Sequence, residues 1–185
     1  MKPAEIVKKS KWLSQHLRHT PQRIGLRLES GGWVEVEKLL AAAARRLGME
    51  MSRAQLEEVV AKNDKQRFAF DAARTKIRAN QGHSVAIDLE LEAQTPPPIL
   101  YHGTGAQNRD LLVREGLKKM RRHHVHLSVD VETARKVGAR KGKPLVFAVD
   151  AARLSAGGAI FYRSANGVWL TEEVAPSYLQ PLEIP

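Results

Sequence analysis

The chain has no cysteine among its 185 residues. That excludes disulfides, thiolate metal sites and a sulfur nucleophile, and it suits a reducing cytoplasm, the compartment expected. Long apolar runs are missing as well. No stretch approaches the roughly 18 apolar residues of a membrane helix, and Met1 to Lys11 has no apolar core of the kind that directs secretion. Neither secretion nor a membrane partner is expected. Internal repeats and low-complexity segments are also absent from the sequence.

What is present is a globular balance, 43% apolar and 27% charged. This length permits one medium domain or two small lobes, each near the lower limit for burying a core of its own. The formal charge is +10, with a pI near 10.1. Residues 1–92 hold 17 basic against 12 acidic side chains and residues 93–185 hold 13 against 8, so each part carries an excess of 5. A basic tail would concentrate the excess at one end. An even split suits a cleft between lobes that attracts a polyanion, whether RNA, DNA or a membrane. Lysines that merely solvate the surface account for the same charge equally well.

One boundary stands out at Ala93 to Pro98, where three consecutive prolines follow the alternating run Val85, Ile87, Leu89, Leu91. Before it, Pro3 to His19 reads as a helix with Ile6, Leu13 and Leu17 on one face and Val7 and Trp12 beside them. Gly25 to Val36 alternates around Gly31-Gly32, and Glu37 to Leu47 reads as a helix stopped by Gly48. Ser52 with Gln55 forms a capping box opening a helix to Asn63, and Arg67 to Ala79 reads as a hairpin about Ala72-Ala73. After the prolines the spacing predicts strands at 99–102, 124–128, 144–150 and 167–171. Two helices interrupt them, 106–115 ended by Gly116 and a second capped by Asp130 and running to Val137. The fold class is therefore α+β.

Four polar clusters carry the chemistry. Arg18-His19 sits where the first helix ends; both cations also complement the helix dipole there, so the pair alone decides nothing. Asp64 to Phe68 enters the hairpin and Ile77 to Ser84 leaves it, with Lys65 and Arg78 as candidate RNA contacts; a solvated hairpin explains both segments as well. The fourth cluster joins Tyr101-His102-Gly103-Thr104 to Met120–Ser128, where His123, His124 and His126 crowd together. A zinc site is not expected from them, because spacings of one and two along a strand cannot bring all three to one ion. A flat imidazole against a flat ligand is the better use, with Gly103 allowing a nucleotide close to the backbone.

In order and spacing, six segments resemble the Tpt1/KptA family of RNA 2'-phosphotransferases: Ser10–His19 (SKWLSQHLRH), Asn63–Phe68 (NDKQRF), Arg78–Ser84 (RANQGHS), His102–Thr104 (HGT), His124–Ser128 (HVHLS) and Asn166–Thr171 (NGVWLT). The resemblance implies two lobes, a winged-helix lobe over residues 1–92 that faces RNA and an ADP-ribosyltransferase-like lobe over 99–185 that holds NAD. It implies that Arg18, His19, Arg67 and Arg122 surround the transferred phosphate. His102, Gly103 and Thr104 would lie along the nicotinamide nucleotide, His126 beside the ring and Ser128 near its ribose. Val168 stands where many protein-modifying relatives carry glutamate. The chain departs from the family pattern in the bulky polar Arg121 and His123 around Arg122. Three guanidiniums suit a phosphate dianion, whose oxygens they bind in bidentate pairs. NAD would be consumed as a co-substrate, no metal is expected, and the enzyme is expected to act as a monomer. Two other readings stand beside this one: a transferase that ADP-ribosylates terminal phosphates of RNA or DNA, and a non-catalytic winged-helix nucleic-acid binder.

Overall fold

The structure is a computed structural model that describes residues 1–182; the last three residues of the second expected lobe, 183–185, lie outside the described residues. It is a mixed α+β chain that divides into two compact units, residues 1–90 and residue 91 onward. Among the described residues no helix is long and apolar enough to cross a membrane.

In the first unit, helix α1 (Pro3–Arg18) starts with proline in its first turn, where a missing N–H is harmless. Leu13 and Leu17 on its inner face are fully buried with Trp12, whereas Val7, expected beside them, is exposed. The strand expected before Val36 shrinks to β1 (Val34–Glu35), because Gly31 and Gly32 take positive φ in a tight helical turn. Helix α2 (Val36–Ala44) buries Val36, Leu39, Ala42 and Ala43. It ends before Leu47, which is almost fully exposed and has nothing to pack against, and Gly48 takes a left-handed turn four residues after the end of the helix. Helix α3 (Arg53–Ala61) opens with both hydrogen bonds of the Ser52–Gln55 box in place. It stops short of Asn63, whose side chain is used elsewhere. Strands β2 (Phe68–Phe70) and β3 (Lys76–Ala79) form the hairpin, joined by five residues; Asp71 closes the loop by accepting from the Lys76 N–H at 2.8 Å. The sheet order is β1-β3-β2. The alternating run from Val85 to Leu91 forms no strand: its backbone bonds go singly to the end of α1 and to Gly31 instead of to a ladder, and only Leu89 is buried.

The second unit is built on β4 (Ile99–Gly105), which pairs antiparallel over its whole length with a later strand. Helix α4 (Arg109–Glu115) follows a short helical turn and has no fully buried residue. Then come β5 (Leu117–Lys118), β6 (Val125–Leu127), α5 (Val131–Gly138), β7 (Pro144–Asp150), α6 (Ala151–Ala156), β8 (Tyr162–Arg163), β9 (Trp169–Thr171), β10 (Glu173–Val174) and β11 (Leu179–Leu182). Asp130 caps α5 by accepting from Thr133 N–H at 2.7 Å, and Asp150 caps α6 in the same way through Arg153 at 3.0 Å. Three sheets result, β11-β7-β4, β6-β9-β8 and β10-β5. Tyr101 and Ser128 exchange two backbone hydrogen bonds of 2.8 Å, tying β4 to the end of β6. Leu100, Leu127, Val149, Phe161 and Trp169 form the core beneath.

Candidate active site

The last carbonyls of a helix have no partner within it, and in α1 that need draws in a distant segment. The Arg18 carbonyl accepts from Ser84 N–H at 2.9 Å and Val85 N–H at 3.4 Å, and the Ser84 hydroxyl lies 2.9 Å from His19 Nδ1. Arg18 Nη2 in turn donates to the Arg67 carbonyl at 3.5 Å, which also accepts from Asn80 N–H at 2.8 Å. Arg67 is held from its other side: its N–H and its Nη1 both donate to Asn63 Oδ1 at 3.2 Å, while Asn63 Nδ2 donates to Ser10 Oγ at 2.8 Å. Three clusters far apart in sequence thus meet at one corner of the first unit. A pocket of about 540 Å³ opens there, with His19 and Arg67 in its wall alongside Lys11, Ser14, Gln15 and Lys65. Its cations outnumber its one acid, Asp64, so the pocket attracts anions.

Asn63 is nearly buried, so its loss is felt directly. Asn63→Ala leaves the Ser10 hydroxyl and the Arg67 N–H without partners, a loss of about 1–3 kcal/mol. With Arg67 loosened, turnover is expected to fall roughly tenfold at unchanged secondary structure, as activity assays and circular dichroism on the variant will read.

Lys65 is exposed at the rim. Arg78 stands apart from that wall, its guanidinium 4.5 Å over the Trp33 ring and its Nη1 donating to the Gly31 carbonyl at 3.3 Å. Burial lowers its pKa, opposed by Glu90.

In the second unit, His102 Nδ1 lies 3.1 Å from the His126 carbonyl. A carbonyl only accepts, so Nδ1 carries the proton. Burial pushes this ring below the ordinary imidazole value of 6.5; the hydrogen bond to His126 opposes the shift, and the charges of Lys141 and Arg122 add to it. The neutral ring therefore keeps Nε2 as an acceptor. The same electrostatics put Arg122, on an exposed turn after β5, within reach of His102. Thr104 is buried, its hydroxyl accepting from Asn108 Nδ2 at 2.9 Å. Val125 and Leu127 point into the core, so His124 and His126 lie on the opposite face; His124 packs edge-on to Tyr162 at 5.4 Å. The Val168 carbonyl accepts from Ser164 N–H at 2.9 Å and its N–H donates to the Ser164 hydroxyl at 3.1 Å, leading into β9.

Gly103 also has a structural role. It lets α5 approach β4 closely: a Cβ there would lie 1.7 Å from the Ala134 carbonyl oxygen. Among the described residues no group of three histidines or acids sits close enough together to hold a metal ion.

The neutral state of His102 makes stability depend on pH. An unfolded imidazole takes up a proton below about pH 6.5, whereas the folded ring resists it until the lowered value is reached. The second unit is thus most stable above about pH 6.5 and loses stability as pH falls through that window. His124, also lowered mainly by burial, acts with the same sign. Melting curves between about pH 5 and 8 should show this slope, partly flattened in His102→Asn; an unchanged slope in the variant refutes the assignment.

Sequence reasoning named Arg18, His19 and Arg67 but not the groups that hold them. Asn63, Ser84 and Asn80 all lie inside the NDKQRF and RANQGHS segments, whose density of amides at turns was the available signal. Asn80 donates to the Gln66 carbonyl at 2.6 Å and so pins the left-handed turn at Gln66 that aims Arg67.

Comparison with known proteins places the whole chain among relatives of one kind. A protein of Trichormus variabilis named "Probable RNA 2'-phosphotransferase" is 59% identical over 97% of this chain and 98% of its own length. One of the same name from Streptomyces coelicolor is 54% identical over 97% of each. Another from Hahella chejuensis is 50% identical over 97% of this chain and 96% of its own. The pattern described as "RNA 2'-phosphotransferase, Tpt1 / KptA family" matches residues 4–173, and the chain belongs to that family.

Proposed function

We propose that this protein is an NAD-dependent RNA 2'-phosphotransferase, a monomer of the cytoplasm that removes an internal 2'-phosphate from RNA. The first unit is read as a winged-helix lobe facing RNA and the second as an ADP-ribosyltransferase-like lobe for NAD. The observation that carries the reading is the gathering of Arg18-His19 and Arg67, from two separate segments and held by Ser84 and Asn80 of a third, onto one anion-attracting corner. Arg122, whose charge reaches His102, is assigned to the same phosphate.

NAD supplies an electrophilic carbon, C1'', and nicotinamide as the leaving group. The RNA 2'-phosphate is already a dianion and needs no base to attack that carbon, which suits valine rather than a carboxylate at position 168. The neutral His102, with an acceptor nitrogen held in fixed orientation, fits the nicotinamide nucleotide alongside Thr104, His126 and Ser128. In the second step O2'' of the attached ADP-ribose attacks phosphorus, and the bond to the RNA 2'-oxygen breaks. Arg18, Arg67 and Arg122 stabilise charge on the phosphoryl oxygens. His19 protonates the departing 2'-oxygen. The products are 2'-hydroxyl RNA, nicotinamide and ADP-ribose 1'',2''-cyclic phosphate.

An oligonucleotide with one radiolabelled internal 2'-phosphate tests this directly. With NAD, the label is expected in the cyclic phosphate. Label that stays on RNA joined to ADP-ribose, most of all with a 5'-phosphorylated oligonucleotide as the better substrate, indicates an enzyme that modifies terminal phosphates. Binding without nicotinamide release indicates a non-catalytic protein.

A further inference from the structure

Five cations crowd into nine residues of the second unit: Arg135, Lys136, Arg140, Lys141 and Lys143, with no acid among them, all exposed. The stretch covers the last turn of α5, a helical turn at Ala139–Lys141 and the lead into β7. Several surface cations elsewhere sit against acids, as Lys62 with Glu58, Lys76 with Glu29 and Lys119 with Glu172. Among the described residues, only Lys136 of these five has such a partner, Glu132 at 2.6 Å. The dipole of α5 welcomes Arg135 and Lys136 at its C-terminal end. Arg140, Lys141 and Lys143 lie beyond that helix and repel one another, a strain that a polyanion would relieve.

The backbone of this stretch is anchored rather than loose. Gln107 Nε2 donates to the Lys141 carbonyl at 3.0 Å and Ala106 N–H to the Lys143 carbonyl at 2.8 Å, both from residues just after β4. The charge of Lys141 reaches His102. The stretch therefore borders the residues assigned to the nicotinamide nucleotide, and an RNA whose phosphate must reach that nucleotide carries its neighbouring phosphates close by.

We propose that residues 135–143 form a docking ridge for the sugar-phosphate backbone of the substrate RNA beyond the reacting junction, so that long RNA is held more tightly than a short oligonucleotide. The proposal rests on the reading of the chain as an RNA 2'-phosphotransferase.

The test compares the unaltered protein with the triple variant Arg135→Gln, Arg140→Gln, Lys143→Gln. Lys136 is kept for its ion pair and Lys141 for its action on His102. Two substrates carry the same 2'-phosphorylated junction, one a trinucleotide and one a stem-loop of several helical turns. The variant is expected to raise KM for the stem-loop about tenfold, with KM for the trinucleotide and for NAD, and kcat for both RNAs, unchanged. Three lost phosphate contacts also flatten the salt dependence: between about 50 and 200 mM salt, stem-loop binding by the unaltered protein should weaken about 20- to 40-fold more than binding by the variant. An equal KM rise for both RNA lengths overturns the ridge by placing these charges in the reaction site. A rise in KM for NAD makes the stretch a dinucleotide contact, and no change at all makes it a solvated surface. If the unaltered protein fails to turn over even the trinucleotide, the functional reading falls, while the salt-dependent binding of the stem-loop still decides the ridge.

Discussion

Alanine in place of His19 or Arg122 is expected to let nicotinamide leave while RNA bearing ADP-ribose on its 2'-phosphate accumulates. The two steps make different demands. In the first, the phosphate is the nucleophile, and its negative charge is spent as the new bond forms, so neither an acid nor an extra cation is essential. In the second, phosphorus is the centre attacked. Charge spreads over its outer oxygens and the RNA 2'-oxygen departs as a poor leaving group unless it is protonated. Loss of a positioned acid lowers such a step by about 10²–10⁴-fold, and loss of one stabilising arginine by about 10³-fold or more. Ser84, 2.9 Å from His19 Nδ1, orients the ring for this work. Mass spectrometry of RNA from timed reactions reads the outcome. Variants that stall with untouched substrate, or that turn over normally, refute this division of labour.

Gly103→Ala is expected to do the greatest damage to stability in the second unit. The added methyl would sit 1.7 Å from the Ala134 carbonyl oxygen and 2.5 Å from its carbon, and Gly138 makes the reciprocal approach, its Cβ position 2.5 Å from the Thr104 oxygen. Both obstacles are backbone, so no side chain can swing aside and α5 must lift from β4. Overpacking of this kind costs roughly 3 kcal/mol or more, a drop in Tm of about 12 °C or more for a unit of this size. Gly105→Ala is the control. Its Cβ would meet only the end of the Gln107 side chain, which can move, so its Tm should fall by no more than a few degrees, about 1 kcal/mol. Thermal melts of both variants, with nicotinamide release as second readout, check the contrast; equal melting of the two would remove the close packing of α5 on β4 as the reason for glycine at 103.

The two units differ in how openly the sequence declares them. Helix α1, the capping box of α3, the Asp130 cap and the seven-residue strand β7 were all readable, because each depends on residues within a turn or two of one another. Helix α6 and strands β8, β10 and β11 were not. A strand takes its hydrogen bonds from elsewhere in the chain, so a short one such as Tyr162–Arg163 has no local mark, and the alternating run at Val85–Leu91 had the mark but joined no ladder.

The same division runs through the site. Its chemistry, guanidiniums and imidazoles set beside turns, was written in the motifs, since side-chain type follows directly from the sequence. The hold of Asn63 on Arg67, the capping of α1 by Ser84 and the packing of Ala134 against Gly103 were decided only by tertiary structure. Each is a contact between groups far apart along the chain, and no spacing rule reaches across a fold.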